Sequence, residues 1–367
     1  MTEANMDDAS RPDQLEQIHQ QTVFVDIHAH PSGFCWPGVP RIGSDELGRY
    51  RSSLMDLVVC SLVGDATYSC VKRDESGQYP PGSGAAFRGR YRPKRGEPFA
   101  LDLDRLSAIL KTIDDGDAVL AESPAAVRAA KREGKLALLP ALEGADSLEG
   151  LIDNLHEFHR RGLRLLQLVH MRANEVGHVQ TFPYSPGGLT PFGREVVREC
   201  NELGIVIDLA HANTETIMDT LALSSHPVIC SHTGVQSLYN GQEQIGFDRF
   251  LTDEEIRDIA AKGGVIGIIL VREWMPRLSD LMRQCNHIRR LVGIDHFGIG
   301  SDLIREVGSA SQPEYMVEFG EDANFRAIAN GLLGEGYSVE EVGKVMGGNF
   351  FRVWEQVAEP RTSRSIS

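Results

Sequence analysis

The stretch PFGREVVRECNELGIVIDLAH, Pro191–His211, decides the fold. Pro191–Leu203 reads as a helix, Gly204 as its left-handed cap, and the apolar run Gly204–Ala210 delivers the chain to His211. The same unit of helix, glycine, apolar run and polar residue recurs from about residue 120 onward. Ser123-Pro124 is an N-cap followed by Pro at the first helical position, and that helix ends near Gly134 before Lys135–Leu142. Ser147–Arg161 reads as a helix closed by Gly162 and followed by Leu163–Val169. Thr252-Asp-Glu-Glu255 is a capping box whose helix ends at Gly263-Gly264, before Val265–Leu270. Leu278–Val292 closes at Gly293 ahead of His296–Gly300. Ser338-Val-Glu-Glu341 opens a last helical stretch, interrupted by Gly347-Gly348.

With Val23–Ile27 and Leu57–Val63 near the start, the runs amount to about eight strands. They are continuous rather than alternating, as parallel strands covered by helices are. The pattern therefore predicts an α/β fold, a (β/α)8 TIM-type barrel of the metal-dependent hydrolase kind. A doubly wound open sheet is the alternative. The expected organisation is a polar, helical extension over 1–21, one barrel over 22–357, and a disordered tail over 358–367. Residues 1–15 and 360–367 are expected to fray. Residues 66–100, rich in Gly, Pro, Arg and Tyr, break the repeat and read as a lid-like insertion or an oligomer contact.

Composition narrows the function. The chain has 367 residues, 41% hydrophobic and 24% charged, as soluble globular proteins do. A net charge of −15 argues against nucleic acid and against an anionic membrane as partners. The start is polar and acidic, without the apolar stretch of a secretory signal, so a cytoplasmic location is expected. The cysteines at 35, 60, 70, 200, 230 and 285 form no CxxC pair and read as free thiols.

Five of these runs lead into a metal-ligand residue type. Thr22–Ile27 leads into His28-Ala29-His30, Leu136–Leu142 into Glu143, Gly204–Ala210 into His211, Pro227–Ser231 into His232, and His296–Ser301 into Asp302. His170 follows Leu165–Val169. In a parallel barrel all these positions meet at the C-terminal mouth, where such folds place their chemistry. One His-x-His is a weak signal, and a lone histidine after a strand is more often merely packed or exposed. Five strands that each deliver His, Glu or Asp are a strong signal. His19, His156, His159, His178, His226 and His287 fall in helices or loops and read as surface residues, and His296 begins a strand at the far end.

The set suits two Zn2+ ions bridged by Glu143 and a shared hydroxide. His28 and His30, with Asp302 nearby, complete one site; His211 and His232 complete the other. Asp302 can pass a proton from the bridging water to a leaving amine, and His170 can donate to the developing oxyanion.

At these residues the chain resembles the membrane dipeptidase (renal dipeptidase) family of the amidohydrolase-like metal hydrolases. The resemblance rests on Val25-Asp26-Ile27-His28, Leu142-Glu143-Gly144, Leu168-Val169-His170, Asp208-Leu209-Ala210-His211, Pro227–His232 and Phe297–Asp302, and spans about residues 22 to 355. It implies a barrel, a two-zinc site bridged by glutamate, hydrolysis of dipeptides, and a homodimer. Two departures stand out. The family usually has His-x-Asp after the first strand, where this chain has His30; one carboxylate fewer leaves the metal pair with an extra positive charge and a more acidic bridging water. The family also carries an arginine shortly after the His232 position, to grip the substrate carboxylate. Here Thr233–Asp248 holds no Arg or Lys, and Arg249, Arg305 or Arg172 is left to serve. The expected activity is that of a dipeptidase-like zinc hydrolase. A related amidohydrolase or lactonase acting on another substrate is the alternative, and a non-catalytic scaffold keeping the barrel is a third reading.

Overall fold

Parallel strands wind in chain order around a barrel whose mouth is set by the C-terminal ends. The computed structural model describes residues 11–31, 41–65, 93–180, 186–239, 249–304, 319 and 324–359. Its strands are β1 (Val25–His30), β2 (Leu57–Val63), β3 (Val119–Leu120), β4 (Ala137–Glu143), β5 (Leu165–Gln167), β6 (Val206–Asp208), β7 (Ile229–Thr233), β8 (Val265–Ile268), β9 (Phe297–Ile299) and β10 (Leu303–Ile304). The order is β10-β1-β2-β4-β5-β6-β7-β8-β9, with the short β3 paired to the start of β4. Every one of these pairings is parallel. Residues 297–304 close the circle. They pair with β8 at one end and with β1 at the other, and the Asp302 amide donates to the His28 carbonyl at 2.9 Å. The (β/α)8 barrel expected from the apolar runs is the observed fold.

The helices follow the predicted stops. They are α1 (Arg11–Gln21), α2 (Ser44–Ser52), α3 (Glu97–Asp114), α4 (Pro124–Arg132), α5 (Ile152–Arg160), α6 (Pro191–Leu203), α7 (Thr214–Leu223), α8 (Asp253–Ala261), α9 (Leu278–Val292), α10 (Phe325–Gly334), α11 (Val339–Gly343) and α12 (Asn349–Ala358). Ser123 caps α4 by accepting from the Ala126 amide at 3.2 Å, and Thr252 with Glu255 makes the expected capping box on α8. Gly204 ends α6 at φ 70°, a conformation that a side chain disfavours.

Some boundaries differ from expectation. The helix expected over 147–161 is a 3-10 turn, Ala145–Leu148, followed by α5. Between them Glu149 and Gly150 adopt φ 51° and 71°, and the Glu149 carboxylate accepts from the Gly96 amide at 2.7 Å. Residues 11–15, expected to fray, begin α1, and Leu15 and Ile18 are buried. Most of the expected insertion lies outside the described residues, and 97–100 form the first turn of α3. The histidines assigned to the surface are partly buried in several cases and hold partners: His19 with Asp56 at 3.1 Å, His156 with Glu199 at 2.9 Å, His287 with Asp253 at 2.9 Å.

The barrel interior is built in layers. Val25, Ile27, Leu57, Val59, Ala137, Leu139, Val206, Ile229 and Val265 form one apolar cluster with Phe350 and Trp354 of α12. That helix closes the N-terminal end. The outer cluster, including Leu138, Leu166, Ile207, Cys230 and Ile266, packs against the surrounding helices. Where β1 pairs with β2, three steps on β1 (Asp26 to Ala29) match two on β2 (Val58 to Cys60). β7 does the same against β8, between Cys230 and Thr233. Each bulge shifts the alternation by one residue just where His28, His30 and His232 stand, and so re-aims those side chains.

Among the described residues, Cys60, Cys200, Cys230 and Cys285 are buried free thiols, and no helix is long and apolar enough to cross a membrane.

Candidate metal centre

Glu143 is the last residue of β4 and sits at the middle of the barrel mouth. Its Oε1 lies 3.3 Å from His28 Nε2, 3.4 Å from His170 Nε2, 3.4 Å from His232 Nε2 and 3.8 Å from His211 Nε2. Its Oε2 lies 3.4 Å from His30 Nε2. Asp302 Oδ1 is 3.2 Å from His30 Nε2 and 3.8 Å from His28 Nε2. All but Asp302 are buried; the Asp302 side chain keeps 16% of its exposure and faces the opening. The residues picked from the strand ends therefore meet in space. His28, His30 and His232 lie within their strands rather than beyond them.

Backbone geometry helps to aim the rest. His211 and Asp302 adopt φ 65° and 55°, left-handed values that are rare for such residues. Strain of this kind persists where the surrounding fold imposes it, commonly at functional sites. Asp26 braces the closing segment by accepting from the Ser301 hydroxyl at 2.6 Å and the Ser301 amide at 2.9 Å. Burial pushes the Asp26 carboxyl up to about 7, against the pull of those hydrogen bonds.

The donor set fits metal ions. His28 Nε2 and Glu143 Oε2 are buried without a hydrogen-bond partner. His211 Nε2 and His232 Nε2 point at each other across 3.0 Å. Two ring nitrogens at that distance either share one proton or turn both lone pairs toward a cation. Burial, with the positive charge of Arg249 among its neighbours, drives both pKa values well below the usual range, so the lone pairs stay available. Burial would raise the pKa of Glu143, but the charges of His170, His28 and His30 outweigh it and keep the carboxylate ionised. Among the described residues, three groups have ligand atoms within 4.8 Å of one another and could hold a cation: His28, His30 and Asp302; Glu143, His211 and His232; and His28, Asp208 and His232. The sequence reading places Glu143 between the pairs; here it groups with His211 and His232.

Several partners of these residues were not foreseen. Asp65, two residues past β2, accepts from His170 Nδ1 at 2.8 Å and from the Met171 amide at 3.2 Å. Like the ligands it follows an apolar run, Leu57–Val63, and that signal was present. The Ser61 carbonyl holds His30 Nδ1 at 3.0 Å, and the Ser61 hydroxyl sits 3.0 Å from His28 Nδ1.

Of the two candidate arginines among the described residues, Arg249 reaches the site. It is buried, its Nη2 donates to the His232 carbonyl at 3.2 Å, and its guanidinium lies 5.7 Å from the Trp274 ring centroid. Its Nη1 is buried without a partner. Arg172 lies 3.9 Å from Asp146 and is half-exposed. Arg305 falls outside the described residues.

A sequence model of the membrane dipeptidase family (peptidase family M19) matches residues 13–366. The chain belongs to that family. Curated relatives include Dipeptidase tcpJ of Claviceps purpurea, 28% identical over 241 residues, which cover 64% of this chain and 54% of that one. Mouse Dipeptidase 3 is 29% identical over 237 residues, 62% of this chain and 46% of its own. The chain thus spans about half the length of these curated relatives. Among solved structures, the probable dipeptidase PvdM of Pseudomonas aeruginosa superposes with a TM-score of 0.75 at 20% identity, over 95% of this chain and 99% of that one. A metallo peptidase from Rhodobacter sphaeroides, liganded with a phosphinate mimic of the dipeptide L-Ala-D-Ala, gives 0.71 at 21% identity, over 92% and 99%. At that identity the likeness is one of fold, and the membrane dipeptidase barrel is the fold shared.

Proposed function

We propose that this chain is a dipeptidase-like hydrolase that cleaves the amide bond of a dipeptide or similar small substrate at a pair of zinc ions. The observation that carries the reading is the convergence of five imidazoles on the buried Glu143 carboxylate, in a chain of the membrane dipeptidase family. The dipeptide mimic held by the Rhodobacter sphaeroides neighbour supports a substrate of that size. His28, His30 and Asp302 would hold one ion, His211 and His232 the other, and Glu143 has an oxygen for each. Bound zinc supplies an acidified water and a polarised carbonyl.

The chain's own groups do the rest. Asp302, the carboxylate nearest the opening, takes a proton from the attacking water and delivers it to the leaving amine. His170, held at Nδ1 by Asp65, presents Nε2–H to the oxygen where negative charge develops. Arg249 offers its unpartnered Nη1 to the substrate carboxylate in place of the family's usual arginine. A lactone lacks the carboxylate that this buried cation would pair with, so Arg249 favours the dipeptide reading over the lactonase one.

The test is an assay of the zinc-loaded protein on dipeptides beside N-acyl-amino acids and lactones. Dipeptide hydrolysis abolished by chelation is expected. Lactone turnover without any dipeptide turnover would contradict the reading.

A further inference from the structure

Below the candidate ligands, the barrel interior carries a polar layer that links two of the imidazoles through one hydroxyl. Ser231 Oγ lies 2.8 Å from His232 Nδ1 and 3.2 Å from His28 Nδ1. The two rings stack at 3.8 Å between centroids with 29° between their planes, so one hydroxyl can serve both. Next to them is Asp208. Its Oδ1 accepts from the Ser231 amide at 2.8 Å and the Ala210 amide at 3.0 Å, which leaves Oδ2 buried without a hydrogen-bond partner. An Asp208 oxygen and one nitrogen of each imidazole lie within 4.8 Å of one another.

If His28 and His232 present Nε2 to metal, each must carry its proton on Nδ1 and donate it. A serine hydroxyl has two acceptor positions and one proton. Ser231 Oγ accepts from both Nδ1–H groups, and Ser61 Oγ at 3.0 Å shares the one from His28. The Ser231 proton is then left to donate, and the unmatched acceptor beside it is Asp208 Oδ2. We infer that Asp208 and Ser231 are positioning residues: the serine hydroxyl, turned by Asp208, fixes the ring orientation and tautomer of His28 and His232 together, and so couples one ligand of each metal site. This rests on the metal reading above. It also accounts for Asp208 lying near both rings without treating it as a ligand of a third ion.

The exchange Asp208→Asn is nearly isosteric but puts an NH2 where Oδ2 was. That group then donates to Ser231 Oγ and takes one of its two acceptor positions, so Ser231 can no longer accept from both rings and His28 is left with Ser61 alone. Ser231→Ala removes the hydroxyl entirely. Loss of a partner to a ligating histidine typically costs 10–100-fold in metal affinity. The experiment is chelator competition on zinc-loaded wild type and both variants, with the metal-free thermal midpoint of each recorded. Zinc affinity is expected to fall about 10–100-fold in Ser231→Ala, where His232 loses its Nδ1 partner, and by less in Asp208→Asn, with metal-free midpoints close to wild type in both. Unchanged affinity in folded variants overturns the inference while leaving the metal reading intact. Wild type that holds no zinc overturns the metal reading itself, and the inference with it. A third zinc equivalent in wild type, lost in Asp208→Asn, makes Asp208 a ligand and also overturns it. Should the variants fail to fold, 15N-histidine NMR of zinc-loaded wild type decides: His28 and His232 are expected to carry protons at Nδ1, hydrogen-bonded and slow to exchange. An Nδ1 that exchanges freely with solvent on either ring overturns the proposal.

Discussion

The Nδ1 atom of His170 lies 2.8 Å from Oδ1 of Asp65, a residue 105 positions earlier in the chain. The approach depends on Gly64. A Cβ there would come within 2.1 Å of the Gly144 carbonyl, and the Gly64 amide donates to the Glu143 carbonyl at 2.8 Å. The chain leaving β2 is thereby laid against the chain leaving β4. Burial alone would lower the His170 pKa; the charges of Asp65 and Glu143 outweigh it and push it up to about 9. His170 is therefore kept as a donor at neutral pH.

Asp65→Asn leaves a partner for Nδ1 but removes the charge. The turnover number is expected to fall about tenfold or more, since a positioned proton donor contributes on that scale or above. Zinc content should be unchanged. Steady-state kinetics with metal analysis checks both, and wild-type turnover in the variant would remove His170 from its assigned role.

Arg249→Lys keeps a positive charge but loses the planar fork that matches a carboxylate. The specificity constant for a dipeptide with a free carboxylate is expected to drop by about 10–100-fold, the scale of a hydrogen bond to a charged group. The same dipeptide with an amidated C-terminus should change far less. An equal loss on both substrates would mean that Arg249 serves the fold rather than the substrate.

Asp146 gives a pH signature in stability. Burial first, and then the charge of Asp65, push its carboxyl up to about 8, although Asn174 donates to Oδ2 at 3.1 Å. Its folded pKa lies above that of an unfolded aspartate, so between about pH 4 and about pH 8 the folded state binds the extra proton. Its contribution is neutral below about pH 4, grows more destabilising as pH rises through that window, and is constant above it. Asp146→Asn removes this dependence. The difference in thermal midpoint, variant minus wild type, should increase from pH 4 to pH 8; a flat difference would contradict the assignment.

His30→Asp restores the carboxylate usual in the family. Negative charge beside the metal pair should make the attacking water less acidic, so the acid limb of the pH–rate profile is expected to move to higher pH than in wild type. Superimposable profiles would show that His30 does not set that limb.

Much of this was legible in the amino-acid order because barrel strands are buried on both faces. Runs such as Ile205–Ala210 are continuous, glycines such as Gly204 mark the helix ends, and the ligand types stand at the runs' far ends. What was not legible depends on pairing between distant segments. The bulges in β1 and β7, which aim His28, His30 and His232, exist only relative to β2 and β8. Asp208 and Ser231 look in sequence like any polar residue of a strand until their hydrogen bonds are seen. Which of the described candidates, Arg249 or Arg172, reaches the site likewise emerges from tertiary packing, since the two are equivalent by composition.

The central claim, that Glu143 bridges two cations, is tested most directly by anomalous diffraction from zinc-loaded crystals recorded on both sides of the zinc edge. Two peaks are expected, roughly 3.5–4 Å apart, with one Glu143 oxygen on each, His28 and His30 beside the first and His211 and His232 beside the second. A single peak away from Glu143, or none at the barrel mouth, would contradict the account.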